Sequence, residues 1–420
     1  MLDLKFIREN PDVVRWAIQV KNIILDFDKL LALDAEVRST RHKSEQLAAQ
    51  RRRLADQFRT AAPEQQQNLG EQSRQLAAEL KVLGEELARL EGQLGELMLL
   101  VPNVPDKSAP VGPDAESNVV VARWGEPPQF DFPMKDHVDL AQRNNWVDLK
   151  RVTEVCGNRT YCLKNRLAQL EFVLLTMTMQ RMVGEGFTLL TVPSIAREAA
   201  FVGTGHFPTG RTEVYELPED SLFLSGTAEI VLNSLHSGEI LESLEQPILY
   251  AGVSPCFRRE AGSAGRDVRG LLRVHQFFKV EQYVICENNA ATSRYWHDRL
   301  LKIATDIVES LELPYQVIEC STGDMGAGKV RMHDIEVWVP SLGTYRETHS
   351  CSTLHDWQAR RANIRYRDAD RKVQFAHTLN NTALATPRIL VPLLENNQTA
   401  EGRLRLPAVL RPYFNGDEYL

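Results

Sequence analysis

Phe257-Arg258-Arg259-Glu260-Ala261-Gly262, followed by Val274-His275-Gln276-Phe277-Phe278-Lys279-Val280-Glu281, reads as two β-strands joined by a mobile loop. The first strand carries Arg258 and Glu260 on one face, and the second carries Phe277, Lys279 and Glu281 at the same period of two. The intervening Gly262-Ser263-Ala264-Gly265-Arg266-Asp267-Val268-Arg269-Gly270 is too rich in glycine and charge to be core. A sheet face with guanidinium, carboxylate and aromatic groups side by side suits a ligand that is polyanionic, cationic and planar in different places. ATP together with an amino acid is such a ligand; an ion-pair ladder on an exposed sheet is the alternative.

Outward from this pair, helices alternate with strand-like runs. Leu167 to Val183 reads as a helix, Phe187 to Val192 as a strand and Ile248 to Phe257 as another; Ala291 to Leu311 is helical, and Ile335 to Val339 returns to strand. Strands grouped with intervening helices predict an α+β domain on an antiparallel sheet with flanking helices.

The first hundred residues differ. Leu76, Leu80, Leu83, Leu87, Leu90, Leu94 and Leu97 follow alternating spacings of four and three, an unbroken heptad seam. A partner seam runs through Leu33, Val37, Leu47, Leu54 and Phe58, and Thr60-Ala61-Ala62-Pro63-Glu64 interrupts the helical pattern once between them. The pattern predicts an antiparallel coiled-coil hairpin whose helices, at some thirty residues each, would be about 45 Å long. Its outgoing helix is basic, with Arg38, Arg41, Lys43, Arg51, Arg52, Arg53 and Arg59 against Glu45 and Asp56, while its returning helix is mainly acidic. That edge is either a solvated coiled-coil face or a track for a phosphate backbone. Val101-Pro102-Asn103-Val104-Pro105 stops the helix, so the sequence is read as a helical arm over 1–104 and a body over 105–420.

Bulk properties bound the partners. The 420 residues are 43% hydrophobic and 25% charged, with a net charge of −7, so a nucleic acid would have to meet local basic patches. No signal pattern opens the chain and no apolar run is long enough for a bilayer, so no membrane partner is expected. Six cysteines without a CxxC pair fit reduced thiols of a cytoplasmic protein; Cys156 and Cys162 lack the further ligands of a zinc site.

Further blocks narrow the reading: Arg346-Glu347-Thr348-His349-Ser350-Cys351-Ser352, Asp356-Trp357-Gln358-Ala359-Arg360-Arg361, Thr378-Leu379-Asn380-Asn381-Thr382 and Ala385-Thr386-Pro387-Arg388. With the opening stretch they resemble motifs 2 and 3 of the class II aminoacyl-tRNA synthetases, and Thr227-Ala228-Glu229 narrows the resemblance to the seryl-tRNA synthetases in their bacterial form. It covers nearly the whole chain in the family's order. The helix ending near Gly184, with Phe187 to Pro193, resembles motif 1, which implies a homodimer.

The resemblance implies L-serine, ATP, Mg2+ and a serine tRNA with a long variable arm as ligands, that tRNA being gripped by the basic arm. It assigns Arg258 to the α-phosphate and the substrate carboxylate, and Arg388 to the far phosphates and adenine, roles suited to a planar guanidinium. Phe277 would stack on adenine, with Glu260 and the Val274 backbone at its edge; Arg259, Thr348 and His349 fall in the same ATP-binding blocks. Glu347 and Ser350 match the magnesium-binding pair. Thr227, Ala228 and Glu229 form the triplet whose first and last members would contact the serine amino group; Glu281 and Thr382 would hold its hydroxyl and Asn380 would brace the site. A pocket that hydrogen-bonds a hydroxyl rejects analogues lacking it by roughly 10⁴-fold or more.

The chain departs from the family pattern at Arg259, where a small residue is usual, at Phe278, at Thr348-His349, and at Cys156 and Cys162. None removes a group the chemistry requires, but Arg259 puts the motif 2 loop's contact with tRNA in doubt. Two other readings are an enzyme of this fold that delivers its amino acid to a carrier protein, and a non-enzymatic nucleic-acid-binding paralogue. The long arm argues against the first; the presence of Arg258, Glu281 and Arg388 argues against the second.

Overall fold

The computed structural model describes residues 1–261 and 270–420. Of the mobile loop expected over 262–270, residues 262–269 therefore lie outside the described chain. Two compact units form, one from residues 3–18 and 23–101, the other from residues 1–2, 19–22 and 102–420.

The smaller unit is dominated by two long helices, α1 (Phe27–Thr60) and α2 (Pro63–Met98). Asp26 caps α1 by accepting from the Lys29 amide at 3.0 Å. Pro63 opens α2, where its missing N–H would have had no helical partner. Only Ala61 and Ala62, both extended, separate the helices, so the chain folds straight back. Leu76, Leu90 and Leu94 are buried along the seam and Leu80, Leu83, Leu87 and Leu97 half-buried; on α1, Leu33 and Val37 are buried. Each fully buried leucine contributes about 1.5–3 kcal/mol. Arg41, midway along α1, pairs with Glu91 in the last third of α2, as an antiparallel hairpin allows. Toward the tip the seam opens, and Phe58 is 41% exposed.

The larger unit is built on an eight-stranded sheet. Its strands are β1 (Val119–Trp124), β2 (Thr188–Thr191), β3 (Ile248–Phe257), β4 (Gln276–Cys286), β5 (Tyr315–Glu319), β6 (Arg331–Val339), β7 (Thr344–His355) and β8 (His377–Thr386). Across the sheet they run β1-β5-β6-β7-β8-β4-β3-β2. Every neighbouring pair is antiparallel except β2 with β3, as an α+β fold predicts.

Helices α3 (Asn165–Gly184) and α4 (Ala290–Ser310) contribute to the main core. Leu170 and Leu174 of α3 and Ile303 and Ile307 of α4 share it with Val280, Val284, Ile335 and Leu379 of the strands. The period of two then directs Lys279 and Glu281 of β4 to the opposite face. A three-stranded sheet of Ile195–Arg197, Leu222–Leu224 and Glu216–Leu217 carries a separate cluster of Phe201, Phe207 and Phe223.

Candidate active site

The face of the sheet away from α3 and α4 opens into a cleft of about 630 Å³, adjoined by a recess of about 60 Å³. Strand β4 supplies Lys279 and Glu281 to the cleft and Phe277 to the recess, while β8 supplies Asn380 and Thr382. Thr382 stands directly opposite Glu281 in the β8–β4 register, and Asn380 opposite Tyr283. Side chains on one face of an antiparallel pair meet across such positions, so Glu281 and Thr382 are placed together by the register.

The sequence puts Arg258 and Glu260 on a strand face; the structure corrects this. Strand β3 ends at Phe257, and Glu260 has a φ of 53°, so both residues lie beyond the ladder. They still line the cleft. The Arg258 amide donates to the His275 carbonyl at 3.0 Å, and its guanidinium lies over the Phe277 ring at 5.1 Å. Gly226 makes room for it, since a Cβ there would stand 3.3 Å from the Arg258 Cγ. Glu260 is tied to Arg273 at 2.5 Å.

The segment between β2 and β3 brings Thr227 and Glu229 into the cleft. Thr227 Oγ1 accepts from Lys279 Nζ at 2.8 Å, and Lys279 also pairs with Glu281. Glu229 Oε1 accepts from Gln358 Nε2 at 2.7 Å and from Asn380 Nδ2 at 3.0 Å. Asn380 thus braces Glu229. Burial pushes the Glu229 carboxyl above its usual range, opposed by the Gln358 hydrogen bond and by Lys279, Lys329 and Arg258. Glu281 is also raised by burial; Lys279 opposes the shift and Glu229 adds to it. Ala228 does not face the cleft: it is buried in an apolar cluster with Leu232 and Tyr283.

Strand β7 contains a device that spacing alone conceals. Ser350 pairs with Asp334 and His349 with Ile335, but the next partner of Glu336 is Glu347, so Thr348 is an extra residue. In a regular strand Glu347 and Ser350 would point to opposite faces; the bulge returns both to the cleft wall. Thr348 lines the recess. His349 is buried, bonded through Nδ1 to Thr348 Oγ1 at 2.7 Å, and lines neither space. Arg388, just past β8, donates to the Glu347 carbonyl at 3.2 Å and lines both spaces. Val274 lines the recess with Phe277. Arg259 is exposed and lines neither.

Residues outside the predicted set complete the walls. Lys279 shares the period-two face of Phe277 and Glu281, and that periodicity was the signal for it. Gln358 lies within the Asp356–Arg361 block, but its contact with Glu229 comes only from the fold. His206 and Lys329 also line the cleft, and no sequence pattern singles them out. His206 bonds Thr204 Oγ1 at 2.8 Å, and burial with the cations Arg258, Lys279 and Lys329 lowers its pKa to about 4. Trp357 is held between Gly205 and Gly328, where a Cβ would stand 2.3 and 2.6 Å from its ring.

On the smaller unit, Lys43, Arg51, Arg52 and Arg53 are exposed and make no ion pair among the described residues, whereas Arg38 and Arg59 pair with Asp34 and Asp56 on their own helix and Arg41 with Glu91.

Comparison with known proteins gives concordant matches. Residues 1–105 match the seryl-tRNA synthetase N-terminal domain, and residues 213–397 match the tRNA synthetase class II core domain (G, H, P, S and T). The serine–tRNA ligase of Deinococcus radiodurans is 50% identical over 420 residues, covering 100% of this chain and 99% of the relative. The crystal structure of seryl-tRNA synthetase from Pyrococcus horikoshii complexed with ATP superposes with a TM-score of 0.93 at 35% identity, covering 100% of this chain and 99% of that one. A cytoplasmic serine–tRNA ligase from Naegleria fowleri in complex with AMP gives 0.89 at 26% identity, with 100% and 98% covered.

Proposed function

The chain belongs to the seryl-tRNA synthetase family, and from that premise we propose that its cleft activates L-serine with ATP and passes the seryl group to a serine tRNA. The observation that carries this reading is the convergence of Thr227, Glu229, Arg258, Glu281, Asn380, Thr382 and Arg388, from distant stretches of sequence, on one cleft.

In the first step a serine carboxylate oxygen bonds to the α-phosphorus of ATP while the bond to the bridging oxygen breaks and pyrophosphate leaves. The protein's part is positioning and charge stabilisation. Arg258 neutralises charge on the α-phosphate, and its stack on Phe277 leaves a planar site beside the Val274 recess for adenine. Arg388 takes the distal phosphates. Glu229 and Thr227 hold the serine ammonium, and Glu281 with Thr382 holds the hydroxyl. In the second step a terminal hydroxyl of the tRNA attacks the seryl carbonyl and AMP leaves.

Magnesium fits the β7 wall. Ser350 Oγ is buried at the cleft wall, and the bulge sets Glu347 on the same side. One carboxylate and one hydroxyl leave the remaining positions to phosphate oxygens and water, the donor set magnesium accepts. Among the described residues no group of three or more His, Cys, Asp or Glu could hold a metal ion. When bound, the ion would neutralise phosphate charge; Glu347 and Ser350 would hold it.

The basic edge of α1 takes the long variable arm of the tRNA, with Lys43, Arg51, Arg52 and Arg53 as its freest cations. A homodimer is supported by apolar surface at both sheet edges: Val119, Val120 and Val121 of β1, and Leu189 of β2 with Phe172 and Val183 of α3. ATP, serine and tRNA as partners assign the enzyme to the cytoplasm; among the described residues no helix is long and apolar enough to cross a membrane. Serine-dependent ATP–pyrophosphate exchange tests the reading: exchange with serine is expected, and its absence with a folded protein would refute it.

A further inference from the structure

His137 is a polar residue, 5% exposed, that opens the helix His137–Arg143 and that the reaction above does not use. Its imidazole lies between two groups. Nδ1 is 2.8 Å from Oε1 of Glu395, a fully buried carboxylate that also accepts from the His137 amide at 3.0 Å and the Ser341 hydroxyl at 3.0 Å. Nε2 is 3.2 Å from the amide nitrogen of Leu271. A backbone N–H can only donate, so Nε2 is the acceptor. The ring proton of the neutral imidazole then sits on Nδ1, where the Glu395 carboxylate receives it. Glu395 thus sets the tautomer that lets His137 hold Leu271.

Leu271 begins the segment Leu271-Leu272-Arg273-Val274, all four residues of which line the recess beside Phe277. At the far end of this segment the His275 amide donates to the Arg159 carbonyl at 3.0 Å, and the His275 carbonyl accepts from the Arg258 amide at 3.0 Å. Leu271 and Leu272 pack with Val339 and Val391, but apolar contact is non-directional and does not by itself fix the backbone. The bond from Leu271 to His137 supplies the direction at the near end. Gly270 shows how closely the chain approaches the ring: its φ is 80°, and a Cβ there would stand 2.2 Å from His137 Nε2. Glycine alone suits that turn.

We propose that His137 is a positioning residue for ATP: held in one tautomer by Glu395, its Nε2 anchors the backbone of Leu271 to Val274 as a wall of the adenine recess. This rests on the reading of that recess as the adenine site. His137 acts through Leu271 and lines neither the recess nor the cleft. The effect falls on the nucleotide, because Leu271, Leu272 and Val274 line the recess and not the cleft, whereas Thr227, Glu229 and Glu281 line the cleft and not the recess.

The test compares His137→Asn with His137→Gln in serine-dependent ATP–pyrophosphate exchange with the full chain. Asparagine keeps a donor at the place of Nδ1 and has nothing at the place of Nε2; glutamine offers an amide oxygen at the place of Nε2 and gives up the donor to Glu395. The ATP KM is expected to rise about tenfold in His137→Asn, as loss of one buried hydrogen bond implies, while the serine KM stays within about twofold. His137→Gln should recover most of that loss. A purely structural partnership with Glu395 would give the reverse order. A normal ATP KM in His137→Asn, a His137→Gln no better than His137→Asn, or equal losses for ATP and serine each overturn the proposal. Should either variant fail to fold, Gly270→Ala keeps His137 and Glu395 and drives the chain off the ring. Its ATP KM should rise selectively, and a normal value in the folded variant overturns the proposal equally. A wild-type chain without serine-dependent exchange would instead refute the reading of the site on which this proposal stands.

Discussion

Arg258 stands at the join of the two parts of the cleft, stacked on Phe277 on one side and near Gly226 and Thr227 on the other. Replacing it with alanine should lower pyrophosphate exchange by about 10²–10³-fold, the usual cost of one group that stabilises transition-state charge; near-normal exchange in the folded variant would contradict its role. Glu281→Gln should raise the serine KM far more than the ATP KM, because it removes a charged partner from the small ligand. Equal losses would make Glu281 a structural partner of Lys279. The pH dependence has a defined sign. Glu229 and Glu281 are both raised by burial, so they gain protons at a higher pH than free glutamate and lose the charge that holds an ammonium. The serine KM should therefore climb as pH falls while the ATP KM changes less; parallel curves would count against the assignment. At this scale the sequence was legible wherever a period of two ruled, as at Phe277, Lys279 and Glu281. It was silent on Gln358, whose bond to Glu229 joins distant segments, and it could not tell that Ala228, Arg259 and His349, which share motifs with residues of the cleft, do not line it.

Among the elements, β7 shows why spacing is an incomplete guide. Glu347 and Ser350 are three apart, which a regular strand would send to opposite faces. The pairing of β6 with β7 absorbs Thr348 as an extra residue and brings both to one wall. Deleting Thr348 should restore regular alternation and turn Glu347 away. Activation should fall by roughly 100-fold or more if alignment of that wall supplies the positioning expected of such sites, and raising magnesium should recover little of it. A deletion variant that folds and exchanges pyrophosphate normally would show that the bulge is incidental. Bulges are set by register between strands, so no single-strand pattern reveals them. The end of β3 was hidden for a related reason: alternation continues through Arg258 and Glu260 in the sequence, while the backbone leaves the ladder and Glu260 turns to positive φ.

For the whole molecule, the helical hairpin was written most openly in the sequence. An unbroken heptad seam with one proline-marked turn leaves little choice but a hairpin, and the antiparallel pair α1 and α2 follows it. Replacing residues 38 to 97 with a short turn should leave serine activation nearly intact, because every activation residue lies beyond that segment, while tRNA charging should collapse with the loss of the basic edge. Rising salt should reproduce part of this loss, since each phosphate contact releases counterions; charging by the truncated chain at the full-length rate would reduce the arm to a structural coiled coil. The measurement that bears most directly on the function is the charging of serine tRNA by the intact chain, run beside pyrophosphate exchange with the same preparation. The account predicts that serine supports both reactions and that the seryl group ends on the tRNA. Exchange with serine but no charging would mean that the activated amino acid goes to another acceptor, and would contradict it.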